Sequence, residues 1–373
     1  MTPFERRARA CQERLDARDA AAVVLFPSRN LYYLTGFSET PGERHLLFVL
    51  PRSGDPVFLV PELYGEQVRE GTWVADVRTW ADDDDPLVHL ERVVADCDLP
   101  GGRVLLDDTM WARFTQDLRR VLPDASFGLA SEALAPLRIR KDEAEVDALR
   151  RAGATADRVV EEVRALGPDA VGLTEAELAR EIERRLADAG GEGVSFEPLV
   201  GSGPNGAKPH HAHSDRTIEA GDPVVLDFGT LVAEYPSDQT RTVVFDGEPP
   251  ERFVEVHDVV REAQEAAVRT VAPGVTAGAV DAAARGVIED AGYGERFVHR
   301  TGHGVGLDVH EEPYLVAGNE RELEPGMVVS VEPGIYLPGE FGVRIEDLVL
   351  VTDDGAERLN DADRGWRCPA PSA

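Results

Sequence analysis

VVSVEPGIYLPGEFGVRIEDLVL, residues 328–350, reads as a β-hairpin. Val328-Val329-Ser330-Val331 and Val343-Arg344-Ile345-Glu346 are β-favouring runs on either side of a Pro338-Gly339 turn signal. Glu332 and Glu346 each lie seven residues from Gly339, so an antiparallel hairpin centred there sets the two carboxylates opposite each other on one face. Like charges in that position destabilise a sheet unless something positive lies between them.

Upstream the pattern occurs again. Residues 224–229, VVLDFG, and 237–245, SDQTRTVVF, are strand patterns joined by a short loop, with Asp227 and Asp238 symmetric about it. Asp227 and Glu332 are embedded in apolar sequence, where an unpaired charge costs several kcal/mol or is neutralised by a pKa shift. Two divalent cations resolve the conflict, since four carboxylates balance their charge. Carboxylate oxygens with one histidine suit Mn²⁺, Mg²⁺ or Co²⁺, whereas structural zinc sites favour thiolate and imidazole. His303, in a glycine-flanked turn where the backbone can approach closely, is the candidate histidine.

The remainder of the chain supplies the setting. A length of 373 residues predicts two domains. Residues 1–136 alternate helical and strand patterns, an α/β layer architecture, with helices expected near 4–16, 28–34, 63–69, 87–95 and 111–121. The acidic run Asp82 to Asp85 precedes Pro86 and reads as a helix N-terminus on a solvated loop. A second domain over 137–360 opens with a long amphipathic helix from Lys141. A capping box at Thr174 and Glu177 starts the next helix, and two more are expected at 251–271 and 277–291. Residues 201–209, GSGPNGAKP, lack P-loop spacing and read as a shaped loop carrying His210, while 361–373 reads as a short exposed tail.

The net charge of −31 excludes nucleic acid and anionic lipid as partners, because both demand a basic footprint. Lys141 and Lys208 are the only lysines. Such acidity serves solubility, and composition favours adaptation to a high-salt cytoplasm. No apolar run reaches membrane-spanning length, the first residues lack a signal-peptide core, and three scattered cysteines offer no disulfide framework. A cytoplasmic protein is expected.

The motifs LDFG, SDQTRT, TGHGVGLDVHE, SVEPGIY and GVRIED, in this order, strongly resemble the pita-bread metallopeptidases: Xaa-Pro dipeptidases (prolidases), aminopeptidase P and methionine aminopeptidase. FPSRNLYYLTGF, residues 26–37, is similar to the creatinase-type N-terminal domain of the first two, which methionine aminopeptidases lack. The resemblance implies an α/β N-terminal domain and an α+β pita-bread catalytic domain. It implies Asp227, Asp238, His303, Glu332 and Glu346 as ligands of two metals, Mn²⁺ foremost and Co²⁺ or Zn²⁺ as substitutes, with Asp238 and Glu346 bridging. His210 and His310 match histidines that polarise the scissile carbonyl and stabilise its oxyanion, and Glu332 matches the proton shuttle to the leaving nitrogen. His299 matches a histidine near the proline pocket. Arg344 and Thr240 are expected to orient Glu346 and the Asp238 strand, and Tyr235 is a candidate either for the pocket wall or for simple packing. Some prolidases carry an arginine four residues after the equivalent of His310, where it holds a dipeptide's carboxylate. Tyr314 stands there instead, which leaves aminopeptidase P activity on longer peptides open. His211, His213, His45, His89 and His257 match no motif role and read as solvated. The implied protein is a homodimeric enzyme acting on short proline-containing peptides. Its rivals are another hydrolase or lyase on the same fold and, most remotely, a non-catalytic binding protein.

Overall fold

The computed structural model describes residues 1–99 and 101–369, and the chain divides into two compact units, Met1–Arg138 and Ile139–Ala373. In the first unit a six-stranded mixed sheet runs in the spatial order Asp76–Trp80, Val57–Pro61, Leu47–Pro51, Ala20–Leu25, Arg103–Leu106 and Ser126–Leu129. Helices Pro3–Ala17, Pro86–Asp96 and Ala112–Val121 flank it in sequence. Continuous apolar strands such as Ala20–Leu25 are buried because a sheet with covered faces offers no solvent side. Asp85 caps the helix Pro86–Asp96 through Leu87 N, so the acidic run does sit at a helix start. The helix Arg29–Thr35 ends on Gly36 at φ 79°, a left-handed conformation that glycine adopts without a Cβ penalty.

The second unit is built from two similar halves. Helices Glu143–Arg164 and Glu175–Asp188 bury Val159, Val163, Leu178 and Ile182 against strands Leu199–Ser202 and Val224–Phe228. Helices Phe253–Thr270 and Ala277–Asp290 bury Val256, Val260, Val280 and Ala284 against Val328–Val331 and Asp347–Thr352. Each half therefore presents one hairpin on a helical support.

The Glu hairpin keeps the expected register, but its ladder is interrupted. Val328 pairs with Leu350 and Val331 with Asp347, and beyond the break Gly334 pairs with Arg344 and Leu337 with Phe341. At the break Glu332 N donates to Thr301 O and Glu346 N to Thr240 O, so both backbones hold a neighbouring strand instead of each other. Val328–Val331 thus does not pair with Val343–Glu346 as a single ladder.

Two expectations fail in part. In the Asp hairpin Thr240 is opposite Asp227, which places Asp238 diagonally from Asp227 and across from Gly229. The loop between them is longer than expected because it forms its own small hairpin, Leu231–Val232 on Tyr235–Pro236. The segment after 360 is no loose tail: Ala362 is buried, Val244 N donates to Trp366 O, and Arg164 grips Asp363 O and Oδ2 at 2.7 Å. Residues 370–373 lie outside the described part.

Candidate metal centre

Period-two alternation aims Asp227, Asp238, Glu332 and Glu346 at one cavity of about 560 Å³, also lined by Phe196, Leu199, Pro209, His210, His299, Arg300, His303, His310 and Arg344. Asp238, His303 and Glu346 each offer a ligand atom within 4.8 Å of the other two. His303 Nε2 lies 3.3 Å from Glu332 Oε1 and 3.7 Å from Asp238 Oδ2. His303 sits on the strand Gly302–Gly304 rather than in a turn, clamped between two neighbours. A Cβ on Gly302 would lie 1.9 Å from Ser330 O, and one on Gly304 would lie 2.2 Å from Glu312 O, so only glycine lets these strands close around the imidazole.

The electrostatics are unbalanced. Burial, and then repulsion from neighbouring carboxylates, pushes Asp238 and Glu346 well above the usual carboxyl range; burial pushes Asp227 up despite Arg344. Burial also opposes the charge of Glu332, but the hydrogen bond and charge of His303 outweigh it and hold that carboxyl at about 2. Asp227 Oδ1 and Glu346 Oε1 are buried without a hydrogen-bond partner among the described residues. A buried carboxylate oxygen left unpaired is expensive, and coordination of a cation satisfies it. The donor set therefore fits divalent cations.

Two residues, expected to orient Glu346 and the Asp238 strand, supply the supporting contacts. Thr240 Oγ1 donates to Glu346 Oε2 at 2.7 Å, while Arg344 reaches Asp227 Oδ2, Thr240 Oγ1 at 3.1 Å and Tyr336 Oη at 2.9 Å. Thr240 is thus the residue that holds Glu346, and Arg344 holds Asp227. The cause is the register that sets Thr240 opposite Asp227 and folds Arg344 across both.

The other named residues divide. His210 and His310 face the cavity, and the His310 ring stands 4.1 Å from that of His303. Burial, followed by the His303 charge, lowers His310 to about 4. His299 lines the cavity, but its Nδ1 meets Arg300 O at 2.7 Å and its Nε2 meets Tyr336 Oη at 2.8 Å, so only its ring face is open to a ligand. Tyr235 is not in the cavity wall: its buried hydroxyl bonds to Glu145 at 2.8 Å, because the small inserted hairpin turns it toward the helix Glu143–Arg164. Tyr314 is also outside the wall, and it carries the Arg300 guanidinium 4.3 Å from its ring centroid.

Several residues escaped the sequence. Tyr336, which joins His299 to Arg344, is on the same hairpin face as Glu332, and period-two counting from Glu332 would have found it. Arg300 had no signal beyond adjacency to His299. His211 is no solvated histidine, since its Nε2 meets the buried Glu175 at 2.8 Å. His45 and His257 are buried, the former against Asp117 at 3.0 Å.

Comparison with known proteins agrees with this geometry. Residues 147–353 match the model of metallopeptidase family M24, and residues 7–140 match that of the creatinase/prolidase N-terminal domain. A probable dipeptidase PepE of Mycobacterium tuberculosis is 44% identical over 352 residues, covering 91% of this chain and 90% of that protein. An Xaa-Pro dipeptidase of Lactobacillus helveticus is 38% identical, covering 94% and 95%. The crystal structure of a prolidase from Thermococcus sibiricus superposes with a TM-score of 0.93 at 40% identity, covering 98% of this chain and 99% of that one. The fold is therefore a creatinase-type domain followed by a pita-bread catalytic domain, and the chain belongs to metallopeptidase family M24.

Proposed function

We propose that the protein hydrolyses the Xaa-Pro bond of dipeptides with two divalent cations, Mn²⁺ first among them, held by Asp227, Asp238, His303, Glu332 and Glu346. The observation that carries this reading is the cluster of buried carboxylates with unpaired oxygens, in excess of the cations the protein itself brings to the cavity. When bound, the cations supply Lewis-acid polarisation and acidify water. The chain's own groups do the rest. His210 and His310 are placed to donate to the carbonyl oxygen as it gains charge; His310, with its low pKa, does so as a neutral imidazole. Glu332 carries a proton to the leaving nitrogen. Phe196, Leu199 and Pro209 offer apolar surface to a proline ring, which has no N–H to satisfy.

Arg300 supports dipeptides over longer peptides. Arg344 is occupied by Asp227 and Tyr336, whereas Arg300, stacked on Tyr314, makes no ion pair among the described residues. It is available for the free carboxylate that a dipeptide presents one residue beyond the scissile bond. Arg300→Met is expected to raise KM for Ala-Pro by roughly 10- to 100-fold, the value of a charge-assisted hydrogen bond, and to leave Ala-Pro amide unaffected.

Metal-stripped protein, with and without Mn²⁺ and in high and low salt, tests the whole reading on Ala-Pro and Ala-Pro-Ala. No cleavage of either peptide under any condition sinks it; cleavage of the tripeptide alone moves the protein to aminopeptidase P activity. We also infer a homodimer in a reducing, salt-rich cytoplasm. The three cysteines are free, and no helix among the described residues is long and apolar enough to cross a membrane. Sedimentation velocity tests the dimer, and melting in rising KCl tests the salt.

A further inference from the structure

Glu175 is fully buried at the first position of the helix Glu175–Asp188, and among the described residues its carboxylate accepts hydrogen bonds from a single segment. Oε1 receives Ser202 N and Ser202 Oγ, both at 2.7 Å, and Asn205 Nδ2 at 3.1 Å. Oε2 receives Ser214 Oγ at 2.6 Å and meets His211 Nε2 at 2.8 Å. The helix backbone reinforces the grip, with Glu175 N donating to Arg216 O and Ala176 N to Ser214 O. Four side chains spread over residues 202–214 thus converge on one carboxylate. The capping box at Thr174 and Glu177 explains the helix start without Glu175, so this convergence is a separate feature.

His210 is within that segment, exposed to the cavity and directly followed by His211. Its preceding residue is anchored from the other side, where Arg344 Nη1 reaches Pro209 O at 3.4 Å. A segment rich in glycine and polar side chains has little core of its own to set its shape, so hydrogen bonds set it, these two anchors acting beside the backbone bonds from Val200 N to Ala212 O and from Gly203 N to Pro223 O.

We propose that Glu175 is a positioning residue for His210: by holding Ser202, Asn205, His211 and Ser214 together it keeps that imidazole where the substrate carbonyl arrives. The proposal rests on the reading of His210 given above. A carboxylate that served only general stability would affect His210-dependent and His210-independent turnover alike, whereas a positioning residue affects only the first.

A double-mutant cycle on Ala-Pro with Mn²⁺-loaded protein tests it, using Glu175→Gln, His210→Ala and the pair. Gln keeps the shape of the side chain but presents an amide to donors. Glu175→Gln is expected to lower kcat roughly 10- to 100-fold, the scale of a displaced catalytic group, with KM and Mn²⁺ content unchanged. On the His210→Ala background it is expected to cost nothing further. Glu175→Asp, a milder change that keeps the charge, is expected to fall between. Equal losses on both backgrounds, or no loss of kcat, overturn the proposal. Amide hydrogen exchange provides a readout independent of activity: Glu175→Gln should deprotect residues 203–214 and leave strand Val328–Val331 protected. Unchanged exchange in 203–214 also overturns the proposal, whereas wild-type protein inert toward Ala-Pro with that segment deprotected would count against the peptidase reading alone.

Discussion

Glu346 and Asp347 are consecutive, both buried, and subject to opposite electrostatics. Glu346 faces the cavity, where burial and the other carboxylates push its pKa well above the ordinary range. Asp347 points to the far side of the strand. Burial works against its charge too, but Arg241 at 2.8 Å, Arg364 at 2.6 Å and Gln264 at 2.8 Å outweigh it and hold the carboxyl below its usual value. Arg241 also binds Glu346 O at 2.6 Å and Ala362 O at 3.0 Å, tying the segment after 360 to the back of the centre. One cluster is balanced by the protein's own cations and is structural; the other is left negative and requires cations from outside.

Changing either residue should break this contrast in opposite directions. Glu346→Gln is expected to abolish metal loading and turnover together, yet to raise the melting temperature of the metal-free protein by removing a charge that its neighbours repel. Elemental analysis, an Ala-Pro assay and calorimetry check the three effects. Glu332→Ala should likewise lose metal and activity together, and full turnover in that variant would mean the centre is misassigned. On the other face, Asp347→Asn leaves the buried guanidinium of Arg241 without its counter-charge and should destabilise the metal-free protein by about 3–5 kcal/mol in urea.

The balanced side also predicts a pH dependence. Burial, then the charges of Arg261 and Arg164, lowers His257 to about 4, while an unfolded histidine titrates near 6.5. Between those values the unfolded chain binds the proton and the folded protein does not, so His257 stabilises above pH 6.5 and this contribution is lost as the pH falls toward 4. The loss is on the order of 3 kcal/mol. His257→Phe should flatten this part of the pH–stability curve, measured on metal-free protein; an unchanged slope would show that His257 does not set it.

How legible all this was depended on distance in the chain. Helix starts at Asp85 and Thr174 were readable because a cap acts over three residues. The opposition of Glu332 and Glu346 was readable because one turn and strict alternation set it. Whether Tyr235 lines the pocket or packs was not readable because an inserted hairpin turns it away, and the grip of Arg344 on Asp227 was not readable because strand register cannot be read from symmetry about a loop. Glu175 was hidden behind a capping box that explained its neighbours without it.

By itself, then, the sequence determined that buried carboxylates occur in two hairpins, that a histidine lies between glycines, and that the motifs are those of a metallopeptidase, since composition and short-range periodicity carry these facts. Only the tertiary structure decided that Asp347 is neutralised while Glu346 is not, that Arg300 lies on Tyr314 at the cavity with no ion pair among the described residues, and that Glu175 gathers the segment bearing His210. The reason is that a charge is balanced or stranded according to what packs against it, and those partners come from more than a hundred residues away for Arg241 and Asp347.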